Sequence, residues 1–377
     1  MDKFARISAI DGYDRDFISS LNIIVIGAGA IGNEVVKNLT LFGVGNITLF
    51  DFDLIEIHNL TRSVFFREED VGFYKSDIVA KRAMELSPDT IIRPINSDFW
   101  NSLSFEVIKS ADVVICAVDN FEARIRLNNL CMLFKKLLIN TGIDSRYASV
   151  EVFPFNNSKN CACYECAIPN SVYEKISERY SCGWIRKIHS EQKTIPTTTI
   201  TSSTVSAFAC SLMFEFINLD LQTNNYDYSM SRKVLCDTKT FHTSNVSIPV
   251  KKSCVASGHD IENILFTSSS RKIEDLSKEL EIEDIKNIDI KIQFSEPVLL
   301  YTISQSGEKK IIFDKAENYD VSFLMDKNVR SLTPEIIEKI DFIDLLNEYK
   351  GYDIPSKYII LESDKFNKKI LVEMKNE

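Results

Sequence analysis

The chain has 377 residues, 45% hydrophobic and 26% charged, with 12 glycines and 9 prolines. This is the composition of a globular protein long enough for two domains, and no low-complexity segment or internal repeat interrupts it. A net charge of −10 argues against a nucleic-acid backbone as partner. The apolar runs read as too short for a bilayer, which needs roughly 20 residues, and the start "MDKFARISAIDGYDRD" lacks the apolar core of a signal peptide, so a cytoplasmic protein with no membrane or nucleic-acid partner is expected.

The first strong signal is Asn22 to Ile26, a short apolar run read as a buried parallel strand. A helix should follow over Ala30 to Phe42, where Ile31, Val35, Leu39 and Phe42 share one face. Asn46 to Phe50 completes a βαβ unit. Strands are then predicted at Ile91 to Pro94, Asp112 to Ala117 and Lys136 to Asn140, with helices at Lys75 to Leu86 and Ala123 to Phe134 between them. Such alternation builds a doubly wound, Rossmann-like, mainly parallel α/β sheet. Beyond Gly142, "YASVEVFPF" predicts an antiparallel extension, and a helix is expected from Thr204 to Ile217 after "IPTTTITSS". From Ile261 the strand candidates "DIKIQF", "VLLYTIS", "KKIIFD", "KYIILES" and "KKILVEM", with one amphipathic helix from Pro334 to Tyr349, predict a small α+β appendage. The division is therefore residues 1–260 and 261–377.

Gly27-Ala28-Gly29-Ala30-Ile31-Gly32 fits G-x-G-x-x-G between a strand and a helix. Gly27 permits the tight turn, Gly29 lets the backbone approach a phosphate, and Gly32 permits close packing. The helix start adds unpaired N–H groups. Asp51, ending the second strand, is placed for ribose hydroxyls. The pattern alone does not separate NAD from ATP. "NLTR" adds to it: Asn59 and Arg62 lie on the loop leaving the second strand, at the carboxyl edge where such folds bind ligands. Arg62 offers a planar fork for phosphate oxygens, Asn59 a neutral donor, and Lys75 a point charge. Asp119, after the strand "VVICAVDN", is a carboxylate suited to Mg2+ on a polyphosphate. Together these suggest a triphosphate rather than a nicotinamide.

The ordered set "GAGAIG", "DFDLIEIHNLTR", "VGFYKSD", "CAVDN" with Arg124, "CYEC" and "IPTTT" resembles the ThiF/MoeB superfamily of ubiquitin-activating-like adenylyltransferases over Ala5 to His259. The resemblance implies ATP as nucleotide and attack of a carboxylate on its α-phosphate with release of pyrophosphate. It implies Gly27, Gly29 and Gly32 as the phosphate loop, Asp51 on ribose, Asn59, Arg62 and Lys75 on the phosphates, and Asp119 on Mg2+. It also implies a homodimer in which Arg6 reaches the partner's site. Ala30 breaks the usual paired glycines, and Ser63 stands where glutamine is usual; neither change removes a charged group from the site.

Nine cysteines in a chain without a secretion signal do not suggest a disulfide framework. Cys163 and Cys166 form half of a tetrahedral structural zinc site, and Cys254 and His259 in "KKSCVASGH" are the expected second half. The resembling family commonly has a second Cys pair. Its second position is Ser257 here, a poor ligand, and Cys236 is the alternative to His259. Cys182, in a mildly basic neighbourhood (Arg179, Arg186, Lys187), is a candidate thioester nucleophile. His189 and His242 have no evident chemical partner. "GNEVV", "NLTRSVFFREEDVG" and "KNCACYEC" look closest to the peptide-maturing, microcin-type and pantocin-type branch, which implies a ribosomally made precursor peptide as substrate. The other branch would take the C-terminus of a ubiquitin-like or sulfur-carrier protein. A non-catalytic partner subunit is disfavoured because the arginine, lysine and aspartate are retained. A nicotinamide-dependent oxidoreductase would leave Asn59, Arg62, Lys75 and the CxxC without a role. The appendage is a candidate grip for a leader peptide, by strand addition.

Overall fold

The computed structural model describes residues 3–158, 161–169, 171–172, 196–217, 227–252, 254, 262–280, 290–319, 332–363 and 368–374. The chain divides into two compact units, one from the described residues of Met1–Pro169 and Thr194–His259, the other from those of Asn170–Lys193 and Asp260–Glu377.

In the first unit the elements in chain order are α1 (Arg15–Ser20), β1 (Asn22–Ile26), α2 (Ala30–Phe42), β2 (Asn46–Phe50), α3 (Lys75–Leu86), β3 (Ile91–Ile95), α4 (Phe99–Ser102), α5 (Phe105–Ser110), β4 (Val113–Cys116), α6 (Phe121–Leu133), β5 (Leu137–Ile143), β6 (Tyr147–Pro154), α7 (Tyr164–Ala167), α8 (Thr199–Ile217), β7 (Arg232–Asp237) and β8 (His242–Ser247). One eight-stranded sheet runs in the order β3-β2-β1-β4-β5-β6-β7-β8. Its β3 to β5 half is parallel and its β6 to β8 half antiparallel. The expected mainly parallel, Rossmann-like sheet with an antiparallel extension is what the chain forms.

The sequence explains why. β1 and β4 are buried almost throughout, as parallel strands covered on both faces must be. The helix α2 stops at Gly43, whose φ of +95° places it in the left-handed region and lets its N–H close the last turn on Leu39 and Thr40. Packing of α8 against α2, β5 and β6 completes the core; Phe42 stacks on Phe214 at 4.0 Å. Two expectations need correction here. The helix α8 begins at Thr199, not Thr204, because the Thr198 hydroxyl accepts the Thr201 N–H at 3.1 Å and caps it. With 19 residues, α8 is also long and apolar enough to cross a bilayer, and here its buried face fills the core instead.

The second unit holds β9 (Glu262–Ser268), α9 (Ile273–Glu279), β10 (Lys291–Ser304), β11 (Lys309–Lys315), β12 (Leu332–Asp341), α10 (Phe342–Glu348), β13 (Tyr358–Glu362) and β14 (Lys368–Met374). Its sheet runs β11-β10-β13-β14-β9, with β12 also paired to β10. The two expected strands "DIKIQF" and "VLLYTIS" form the single strand β10; its register against β12 shifts between Gln293 and Val298, where Pro297 would break a regular ladder. The expected helix from Pro334 to Tyr349 is helical only over Phe342–Glu348, and residues to Asp341 are strand. Ile336, Ile337 and Ile340 mimic helical spacing, yet Ile337 and Ile340 pack on the main core of this unit while Ile336 turns toward Leu299 and Ala316.

Candidate functional site

Strand β1 ends at Ile26, and the chain turns at Gly27 with φ +100°, its N–H donating to the Phe50 carbonyl at 2.8 Å. A β-carbon on Gly27 would lie 2.7 Å from the Ala117 carbonyl oxygen, and one on Gly32 would lie 1.9 Å from the Gly27 carbonyl oxygen. Neither position admits a side chain. A β-carbon on Gly29 would meet nothing within 4 Å. The loop is thus tight on its protein side and open where a ligand would approach. Contact of Gly27 with Ala117 brings the loops after β1 and β4 together. These adjacent strands continue to opposite sides of the sheet, and that switch point is where open α/β sheets hold ligands.

Asp51 follows β2 and turns back to this loop. Its Oδ2 accepts the Ala28 N–H at 2.6 Å and its Oδ1 the Asp53 N–H at 2.9 Å. Burial raises its carboxyl above the ordinary value; the Ala28 N–H and the Lys75 charge oppose that rise in part. Lys75 opens α3, and its Nζ pairs with Asp53 Oδ2 at 2.7 Å. The lysine side chain is only 13% exposed and the aspartate 54%, so the cation faces a carboxylate that solvent or an anion can displace. Ser76 donates to the Asp51 carbonyl at 2.9 Å, tying the start of α3 to the end of β2.

The connection from β2 to α3 carries Asn59 and Arg62. Asn59 is buried, and its Oδ1 accepts the Glu56 N–H at 3.0 Å, so its oxygen is used by the backbone and its amide N–H groups are the part that can serve a ligand. Half-buried Arg62 donates from Nη1 to the His58 carbonyl at 2.9 Å. Asp119 is exposed on the loop after β4, and the neighbouring Asn120 caps α6 by accepting the Ala123 N–H at 2.8 Å. Arg124 bonds Asn140 Oδ1 at 2.6 Å, the Thr141 carbonyl, and the Val118 carbonyl beside Asp119. Its work is therefore to fix that loop from within the protein.

Arg6 is not brought to this group. Phe4, two residues before it, packs at Gly43 and under the Arg15 guanidinium. Gly43 ends α2, while the glycine loop begins it, so about 20 Å of helix separates the two places. Arg6 itself is exposed.

The sulfurs of Cys163, Cys166 and Cys254 converge: Cys163 lies 3.9 Å from Cys166 and 3.6 Å from Cys254, and all three lie within 4.8 Å of one another. Tetrahedral zinc with Zn–S of about 2.3 Å has ligand sulfurs about 3.8 Å apart, so these thiols fit zinc. Burial, then the neighbouring Cys166 and Cys254, push the Cys163 thiol well above its ordinary value. Cys236, on β7, belongs to the hydrophobic core and not to this group. His259, Ser257, Cys182 and His189 lie outside the described residues. His242 starts β8, exposed.

Several residues that organise the site carry no signal in the sequence. Asn33 is fully buried and donates from Nδ2 to the carbonyls of Ala28 and Gly29. Arg82 bonds the Phe65 carbonyl and pairs with Asp70 at 2.7 Å. Glu151 accepts from Asn140 at 2.7 Å and from Lys233 at 2.9 Å, bracing the residue that Arg124 holds. Arg82 falls on the polar side of a helix and Glu151 inside an apolar strand, and only the fold shows what each one meets.

Comparison with known proteins agrees with this architecture. The chain is 27% identical over 190 residues to ubiquitin-like modifier-activating enzyme 5 of Arabidopsis thaliana, covering 46% of this chain and 43% of that protein. It is 33% identical over 164 residues to SUMO-activating enzyme subunit 2 of Dictyostelium discoideum, covering 43% of this chain and 25% of that one. It thus spans less than half the length of these curated relatives. Among solved structures, E. coli MccB with ATP superposes with a TM-score of 0.50 at 23% identity, covering 65% of this chain and 68% of that one. E. coli MccB with SeMet MccA gives 0.51 at 22% identity, covering 64% and 68%. At that identity the likeness speaks for the fold. The ThiF family matches residues 3–256, two thirds of the sequence and every described residue of the site, and the chain belongs to that family.

Proposed function

We propose that this protein is an ATP- and Mg2+-dependent adenylyltransferase that activates a carboxylate of a ribosomally made precursor peptide. One observation carries the reading: a glycine loop closed on its protein side and open at Gly29 lies at the switch point, with Asp51 and the Lys75 charge beside it. The loop N–H groups and the start of α2 favour an anion. Lys75 would exchange Asp53 for a phosphate oxygen, and Arg62 would add a planar fork on the same edge. Exposed Asp119 would hold Mg2+, which supplies charge to offset that on departing pyrophosphate. In the reaction a substrate carboxylate oxygen bonds to the α-phosphorus as the bond to the bridging oxygen breaks, and pyrophosphate leaves with that electron pair. Fixed cations next to the loop lower the repulsion between the two anions, several kcal/mol for each strong contact. No side-chain nucleophile takes part in this step.

Three features support the rest of the reading. The stretches "GNEVV", "NLTRSVFFREEDVG" and "KNCACYEC" favour the peptide-maturing branch. The position of Arg6, far from its own glycine loop, suits an arginine that serves a second copy in a homodimer. Exposed Phe52, Leu54, Ile57, Phe73 and Tyr74 on and beside the β2–α3 connection are an apolar surface that such a copy would cover. The convergent thiols support structural zinc, which would be held by Cys163, Cys166 and Cys254 with His259 as fourth ligand. The names of the curated relatives favour a second reading, activation of a ubiquitin-like protein's C-terminus. Exchange of labelled pyrophosphate into ATP, with candidate peptides and with ubiquitin-like proteins added separately, tests both. Exchange stimulated by a peptide supports the first reading, exchange stimulated only by a ubiquitin-like protein supports the second, and no exchange with either defeats both.

A further inference from the structure

We infer that Asn33 is a positioning residue that joins the glycine loop and the Arg62-bearing connection into one phosphate-gripping unit; this rests on the nucleotide reading above. The Asn33 amide is fully buried, so water does not compete for it. Nδ2 donates to the Ala28 carbonyl at 2.7 Å and to the Gly29 carbonyl at 3.0 Å, and Oδ1 accepts the Phe65 N–H at 3.0 Å. The partners fix the amide's orientation: two carbonyls require the NH2 and one N–H requires the oxygen.

Each bond has a consequence. The first draws the Ala28 carbonyl into the protein and the second joins the Asn33 backbone N–H already on the Gly29 carbonyl, so the peptide N–H groups opposite these carbonyls turn toward the space in front of Gly29. A polyanion is repelled by carbonyl oxygens and attracted by N–H groups, so this orientation decides whether the loop binds phosphate at all. The third bond anchors the chain three residues beyond Arg62. The Phe65 carbonyl is held from the other side by Arg82, itself paired with Asp70. The backbone that carries Arg62 is therefore pinned to the glycine loop by one amide and to α3 by one guanidinium. An apolar residue of equal size at position 33 would fill the space but take the side-chain partner from the Ala28 carbonyl and the Phe65 N–H, while the Gly29 carbonyl would keep the backbone N–H of residue 33 at 2.9 Å. Volume alone does not account for Asn33.

Coupling is the distinguishing property. A residue that merely stabilises the fold would weaken ATP binding independently of Arg62. A residue that places Arg62 relative to the loop makes the value of Arg62 depend on its own presence. The test is a double-mutant cycle on the full chain, reading ATP with Mg2+, and adenosine separately, by titration calorimetry, with Asn33→Ala, Arg62→Ala and the pair. Asn33→Ala is expected to raise the Kd for ATP about tenfold and that for adenosine less than about twofold, as the loss of buried hydrogen bonds at the phosphate end predicts. In the Asn33→Ala background, Arg62→Ala is expected to cost less than about half of what it costs in the parent chain. Asn33→Ser provides a second variant should the alanine fail to fold. Its hydroxyl can return to the Gly29 carbonyl one turn back but is too short for Phe65, so it keeps the turn and severs the link. Additive effects with normal ATP binding by the parent chain, or equal losses for ATP and adenosine, overturn the inference alone. A parent chain that binds no ATP overturns the nucleotide reading and this inference with it.

Discussion

The two units use the same residue, glycine, for different physical reasons, and the contrast separates a site from a scaffold. In the first unit Gly32 is demanded by crowding, since a β-carbon there would strike the Gly27 carbonyl at 1.9 Å. In the second, Gly307 turns between β10 and β11 with φ +82° and nothing within 4 Å, so only its backbone angle favours glycine. Parallel strands send their connections to one edge, where loops from distant parts of the chain converge and contend for space. The antiparallel β10–β11 pair closes locally, and its turn meets nothing.

Substitutions in the two units should sort accordingly. Gly32→Ala is expected to abolish ATP binding, at a cost beyond about 3 kcal/mol, because backbone must move to admit the methyl; calorimetry reads the loss. A variant that bound ATP normally would break the comparison. Phe313→Ala, in the separate core that includes Tyr349 and Phe294, should cost about 3–5 kcal/mol of the second unit's stability. It should leave the Kd for ATP unchanged if the two cores are energetically independent, which denaturant unfolding followed with and without nucleotide would show.

Lys75→Ala should lower pyrophosphate exchange about 100-fold or more while the far-ultraviolet circular dichroism stays as in the parent chain, the usual scale for losing one strong contact to a developing anion. Cys163→Ser should release zinc, counted by mass spectrometry of the native protein, and lower the Tm of the first unit by several degrees. ATP affinity should hold at lower temperature, since Gly27, Asp51 and Lys75 are held by Phe50, Ala28 and Asp53 and not by these cysteines. Smallest is Gly307→Ala, expected to cost about 1 kcal/mol through the left-handed backbone alone. A larger effect there would mean that the turn is packed against something the comparison leaves out.

The residues that could be read in advance obey a short-range rule. β1, α2 and β2 are legible to the residue because a strand buried on both faces is a continuous apolar run, and a helix on such a sheet repeats every three or four positions. That Asp51 and Lys75 stand beside the glycine loop is legible because both lie at the carboxyl edge of the parallel strand β2 or on the helix after it. Asn33 is not. One asparagine inside an amphipathic helix carries no periodic signal, and its partners Ala28 and Phe65 are identified only when the chain folds back. Pro334 to Asp341 reads as helix because Ile336, Ile337 and Ile340 have helical spacing; on the strand, the shifted register against β10 lets Ile337 and Ile340 share one core. The Asp53 partner of Lys75 carries no sequence signal either, and it matters: the cation proposed for phosphate is paired with a carboxylate at 2.7 Å.

The central claim is that the open side of the glycine loop receives a triphosphate. A crystal structure of the full chain with ATP and Mg2+ tests it most directly. The account predicts phosphates against the N–H groups of the Gly27–Gly32 loop, ribose on Asp51, and Lys75 turned from Asp53 to a phosphate oxygen. ATP bound elsewhere, or bound at this loop with Lys75 still on Asp53 and Arg62 still on the His58 carbonyl, would contradict it.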